Sequence, residues 1–153
     1  MKYLLDTCLL SELVKAAPEP SVTEWVGQRK ATDLFVSAVT IGELHRGVAK
    51  MAVSKRRTEL TDWLEALEVS LENQMLPFTH EIARIWATMC AQAEAQGRPL
   101  AMMDSLIAAT ALTNGLTLVT RNVKDFSSTR VDLVNPWGQD LADKKRPGPK
   151  TRP

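Results

Sequence analysis

Four carboxylates in this 153-residue sequence stand where a fold can gather them. Asp6 closes the apolar run "KYLL", and Glu43 lies one turn beyond "DLFVSAV". Asp104 opens the apolar stretch "AMMDSLIAATAL", and Asp125 follows "LTLVT" inside "RNVKDF". Each alone has an ordinary explanation. Asp6 can cap a helix starting at Thr7, and Glu43 has capping-box spacing from Thr40. Asp104 suits the positive end of a helix, and Asp125 suits a turn. Together they point to chemistry. Acids gathered in one cleft repel one another, and the repulsion is relieved by proton uptake or by a cation. Oxygen ligands without imidazole or sulfur select Mg²⁺ or Mn²⁺, and such an ion, open to water and phosphate, is equipment for phosphodiester hydrolysis. On this hypothesis Asp6 and Asp104 are direct ligands and Asp125 or Asn122 a further one, direct or through water, with Glu43 holding or deprotonating the attacking water.

Smaller polar residues fall near the same positions. Thr7, Ser11, Thr120 and Asn122 are placed to steady the carboxylates or to act as further ligands, alongside Ser37 and Thr40. Cys8 is a poor Mg²⁺ ligand and is read as packing beside Asp6. Arg121 and Arg46, with Lys124, are the cations available to meet a substrate phosphate.

The elements that must position these groups alternate. Strands are expected at 2–5, 33–39, 75–78, 116–120 and 131–137, from short apolar, β-branched runs. Helices are expected at 7–15, from Ser21 as a capping box with Glu24, at 40–50, 54–73, from Thr79 to Gly97, and over 101–112. Trp63, Leu64 and Leu67 are read as core or as a groove for a partner helix, Trp86 and Met89 as core or a dimer face. Alternating strands and helices predict an α/β fold, a parallel sheet of four to five short strands flanked by helices on both faces. Such sheets concentrate chemistry at the carboxyl ends of their strands.

Composition narrows the alternatives. The length fits one domain, 1–138, followed by a basic and flexible tail, 139–153. Five of the 19 basic residues and one of the 18 acidic ones lie in 141–153, so residues 1–140 hold 14 against 17, a net of −3. Asp6 and Glu12 interrupt the apolar N-terminus, which argues against a signal peptide, and no run is long enough for a membrane span. A cytoplasmic protein is expected, with Cys8 and Cys90 free. His45 and His80 stand alone, which disfavours zinc. Neither GxGxxG nor GxxxxGK[ST] occurs, and "DTC" after the first strand is not the DxD of an aspartyl phosphohydrolase.

The segments "YLLDTCLLSELVK", "VSAVTIGELHRGV", "AMMDSLIAATAL" and "LVTRNVKDF", in that order, resemble the motifs of PIN-domain ribonucleases, closest to the VapC and FitB toxins of type II toxin–antitoxin modules. "NPW" at 135–137 is similar to the end of FitB-like members, and the resemblance spans roughly residues 2–137. It implies a PIN-like fold and a Mg²⁺-dependent endoribonuclease acting on single-stranded or structured RNA of the tRNA or ribosomal class. It also implies a homodimer and inhibition by a cognate antitoxin. The active site it implies is Asp6, Glu43, Asp104 and an acid in the "TRNVKDF" region. The chain departs from the family pattern twice. Cys8 stands where Asn is common, and Asn122 where some FitB-like members carry the fourth acid, leaving Asp125 as its alternative. The rival from another class is a non-catalytic PIN-like binding module whose acids serve as caps.

Overall fold

Five short strands form one wholly parallel sheet in the order β3-β2-β1-β4-β5. They are β1 (Tyr3–Leu5), β2 (Leu34–Ser37), β3 (Met75–Leu76), β4 (Thr117–Val119) and β5 (Leu133–Val134). The helices are α1 (Thr7–Leu13), α2 (Pro20–Gly27), α3 (Ala38–Ala49), α4 (Lys55–Ser70), α5 (His80–Ala95) and α6 (Met102–Thr113). This computed structural model describes residues 1–138. The basic segment 139–153, expected as a flexible tail, lies outside the described residues.

Both faces of the sheet are buried, which is why its strands are almost uninterruptedly apolar. Side chains alternate between the faces along each strand. Leu5, Val36 and Val119 point into a core shared with Leu9, Leu10, Trp25, Ile41 and Leu64, from α1, α2, α3 and α4. Leu4, Phe35 and Leu118 point the other way, against Ile107, Ala108 and Ala111 of α6 and Met89 of α5. Leu64 is buried, and Trp63 and Leu67, half-buried, pack on the first core. Met89 packs on the second core, and the half-buried Trp86 turns its indole N–H to Ser105.

Two expected caps are corrected. The helix after β2 begins two residues earlier than expected, because Ser37 rather than Thr40 is its N-cap and accepts the Val39 N–H at 3.0 Å. Among the described residues the wholly buried Thr40 has no partner for its hydroxyl, and Glu43 makes no capping-box bond. Likewise α2 starts at Pro20, whose fixed φ suits a first helical position, and Ser21 is inside it. Thr79 caps α5 as expected, accepting from the Ile82 N–H at 3.2 Å.

The reassignment at α3 is testable by urea denaturation. Ser37→Ala should cost about 1 kcal/mol through loss of a cap. Thr40→Val, which removes an unpaired buried hydroxyl at nearly constant shape, should be neutral or stabilising. The opposite ranking would restore Thr40 as the cap.

Candidate active site

The chain leaves β1 towards β2 and β3, then returns to the far side of β1 to build β4 and β5. The crevice at the carboxyl ends of β1 and β4 is therefore a topological switch point, where parallel α/β sheets place their ligands. Asp6 sits at this point. Its N–H extends the ladder to the Val119 carbonyl at 3.0 Å, and its Oδ1 accepts the Thr7 N–H at 2.8 Å, capping α1. Its Oδ2 accepts the Thr120 hydroxyl at 2.7 Å, so the carboxylate bridges the ends of the two strands. Thr120, itself fully buried, accepts the Asn122 N–H at 3.0 Å.

Cys8 lies against the same pair. Its Sγ is 3.6 Å from both Asp6 Oδ2 and Thr120 Oγ1, and it accepts the Arg121 N–H at 3.4 Å. Burial, and then the Asp6 charge, push the thiol pKa up. It remains a protonated packing group, as expected of it.

Glu43 reaches in from α3, where its Oε1 accepts the Thr7 hydroxyl at 2.6 Å. Asp104 occupies the first turn of α6, which has no side-chain cap. The body of that helix, from Ser105 to Ala111, is almost wholly buried, whereas Asp104 emerges half-buried. The fold uses the apolar helix to carry a carboxylate to the sheet edge. Ser105 steadies this turn, donating to the Met102 carbonyl at 2.6 Å and accepting the Trp86 indole N–H at 2.8 Å from α5. The sequence reading missed both residues' part here, although Ser105 stands next to Asp104.

Asp104 reports the electrostatics of the whole group. Its pKa is raised to about 6, first by burial, then by the charges of Asp6, Asp125 and Glu43. Asp104 is therefore close enough to each of the other three expected acids to feel its charge. Asp125, exposed on the 3-10 turn Val123–Phe126, shares a cavity with Asp104.

Among the described residues, no three of His, Cys, Asp or Glu are drawn tightly enough to hold a metal ion as they stand. The donor set nevertheless fits a hard dication: carboxylate and hydroxyl oxygens only, with surplus negative charge that leaves Asp104 half-inclined to keep its proton. Glu43 Oε2 makes no hydrogen bond among the described residues, and each carboxylate oxygen has more than one lone pair.

The remaining expected residues divide. Thr7 and Thr120 hold Glu43 and Asp6 as anticipated. Ser11 is exposed on α1 and bonds to none of the acids among the described residues. Asn122 is exposed and contributes its backbone N–H rather than its side chain. The Arg121 guanidinium lies 5.7 Å from the centre of the Trp137 ring, which gives it a packing partner at the margin of the site. Arg46 is exposed in the last turn of α3.

The family model described as "PIN domain" matches residues 3–131, most of the chain. This chain belongs to the PIN-domain family. It is 37% identical over 135 residues to "VapC ribonuclease Y4jK" of Sinorhizobium fredii, covering 88% of this chain and 96% of that protein. It is 35% identical to "Toxin FitB" of Neisseria gonorrhoeae over 88% of this chain and 97% of that one. Among solved structures it superposes on the crystal structure of FitAcB from Neisseria gonorrhoeae with a TM-score of 0.84. That match has 34% identity and covers 89% of this chain and 99% of the other. The PIN fold and the kinship to VapC and FitB proteins expected from the four motifs are both borne out.

The repulsion at Asp104 has a sign that stability measurements can read. Its carboxyl binds protons more tightly folded than unfolded, so its contribution is fully present below the unfolded value of 3.8 and is lost as pH rises through about 6. Asp104→Asn should therefore leave the PIN domain more stable above about pH 6, by about 1 kcal/mol once the half-exposed site is discounted for solvent screening. Below the unfolded pKa the difference should vanish. A variant less stable than wild type above pH 6, measured by urea denaturation across pH without metal, would contradict the repulsion.

Proposed function

We infer that this PIN domain is a divalent-metal-dependent endoribonuclease, the toxin of a toxin–antitoxin pair, working in the cytoplasm on RNA of the tRNA or ribosomal class. The observation that carries the reading is the response of Asp104 to three other acids at the switch point of the sheet. An acidic group of this kind, without a Lys or Arg ion pair among the described residues, is one that a cation would neutralise.

Asp6, Asp104 and Asp125 would hold Mg²⁺ or Mn²⁺, which when bound supplies Lewis-acid polarisation of the phosphate and acidifies water. Thr120 and the α1 N-terminus fix Asp6 in one orientation, so its oxygens need not reorganise during reaction. Glu43 is held by Thr7 through one oxygen, which leaves the other to orient and deprotonate the attacking water. Asp104, with its raised pKa, is the acid most responsive to the cation's arrival.

Asp125 completes the set rather than Asn122, because the Asp125 charge reaches Asp104 whereas Asn122 turns only its backbone N–H inwards. Arg121 and Arg46 are left as marginal phosphate contacts. A chain that cuts its host's RNA must be held silent there, so a cognate antitoxin protein belongs to the reading, as does a homodimer. Among the described residues no helix is long and apolar enough to cross a membrane.

Cleavage of total RNA tests the assignment. Asp6→Asn and Asp104→Asn should each lose at least about 100-fold in rate, the scale of removing a group that stabilises transition-state charge. Asp125→Asn should lose far more activity than Asn122→Ala, and chelation should silence the wild type until Mg²⁺ or Mn²⁺ is restored. Chelator-insensitive cleavage would overturn the metal mechanism, and unimpaired Asp104→Asn would overturn the site.

A further inference from the structure

A cavity of about 540 Å³ opens beside the acidic centre, lined by Asp104 and Asp125 together with Arg98, Lys124, Ser127 and Ser128. We infer that this cavity is the track for the RNA strand next to the phosphodiester being cut, with Arg98 and Lys124 taking the neighbouring phosphate. The inference rests on the nuclease reading above and adds the residues that hold the strand in place.

Volume and charge both favour a strand of RNA. Cavities of about 300–1,000 Å³ are the range that encloses small ligands, so this one has room for a nucleotide unit. Its two carboxylates belong to the cation centre, and its two cations stand with them on one short stretch of surface. Neither Arg98 nor Lys124 is in an ion pair among the described residues, and both are exposed. A basic pair joined to a metal-binding edge matches a polyanion whose successive phosphates need different partners, one the cation and the next a side chain.

Both cations are carried on fixed backbone. The N–H of Arg98 returns to the Ala93 carbonyl at 2.8 Å, and that of Gly97 to Glu94 at 3.0 Å, closing α5 in a Schellman turn. Gly97 has φ +73°, the left-handed conformation that such a turn requires. Pro99 then restricts Arg98 to an extended backbone. Lys124 belongs to the 3-10 turn Val123–Phe126, anchored by the wholly buried Phe126 ring. The Lys124 carbonyl accepts the Ser127 hydroxyl at 3.0 Å and the Ser127 N–H at 3.3 Å. With the backbone already fixed at both positions, only the side chains lose freedom on binding.

The lining contains no aromatic ring, the usual platform on which a base stacks. Recognition there is of the sugar–phosphate backbone, and sequence must be read elsewhere.

Binding of a fluorescein-labelled, mixed-sequence single-stranded RNA of about 12 nucleotides to the full-chain Asp104→Asn protein tests this. Arg98→Ala and Lys124→Ala, added singly, should each weaken binding about five- to tenfold, equally for different sequences. Each should reduce the slope of log affinity against log salt by about 0.7, the value for one phosphate contact on a single strand. With Asp104 restored, KM should rise by a similar factor while kcat holds, and Arg98→Lys should keep the salt slope that Arg98→Ala loses. Unchanged affinity and slope in both variants, with the wild type still cutting RNA, would overturn the track and spare the nuclease reading. A loss that differs strongly between RNA sequences would overturn backbone recognition. Absence of RNA cleavage by the wild type in Mg²⁺ or Mn²⁺ would overturn the reading on which the track rests.

Discussion

Repulsion among four carboxylates at one sheet edge is the constraint to which the rest of this molecule answers. A fold seeking only stability would not set Asp104 within reach of the charges of Asp6, Asp125 and Glu43. Holding them there requires rigid supports, and the supports are visible. Asp6 is clamped between the α1 N-terminus and Thr120, Glu43 is tied to Thr7, and the first turn of α6 is pinned by Ser105 and Trp86. The parallel sheet supplies the place, since β1 and β4 adjoin where the chain reverses its direction of winding. The two buried faces supply the free energy that tolerates the strain.

Much of the plan was legible in the sequence because it is written in periodicity and punctuation. The all-parallel sheet followed from apolar runs alternating with helical spacing, and the four acids followed from their places at the ends of those runs. The strands proved shorter than the apolar runs suggested: β5 pairs over Leu133–Val134 alone, although the run extends over 131–137. Hydrophobicity marks what is buried, whereas pairing marks what is hydrogen-bonded, and the two need not share boundaries. Asn135 and Trp137 are buried without belonging to the strand.

What the sequence hid were the contacts between distant residues. Ser37 and Thr40 both offer a hydroxyl before the same apolar turn, and only the backbone extended at Ser37 decides which is the cap. Thr40 and Glu43 have capping-box spacing, yet Glu43 spends its carboxylate on Thr7, 36 positions away. Trp86 fits a core or an interface equally well in one dimension. Its indole N–H, bonded to Ser105 across α5 and α6, becomes apparent only in three. The cavity cations were only half hidden: Lys124 lies within "RNVKDF" and stood among the expected phosphate contacts, but Arg98 lay in an inter-helix turn without any signature.

A second sheltered carboxylate shows that the acidic centre is a special case. Glu12, 6% exposed, lies on the same first helix that Asp6 caps. It accepts from Lys15 Nζ at 2.9 Å and from the Glu19 N–H at 2.9 Å. The Lys15 bond and then the Glu19 bond hold its pKa below the usual carboxylate value. Asp104, more exposed than Glu12, is pushed the other way, because burial and three like charges act on it with no ion-pair partner among the described residues. Two acids in one small domain thus answer to opposite electrostatics. Glu12 is complete within the chain and serves its architecture, closing the turn after α1. Asp104 has no such partner among the described residues, and its raised pKa records the burial and like charge that Glu12 escapes through its two hydrogen bonds.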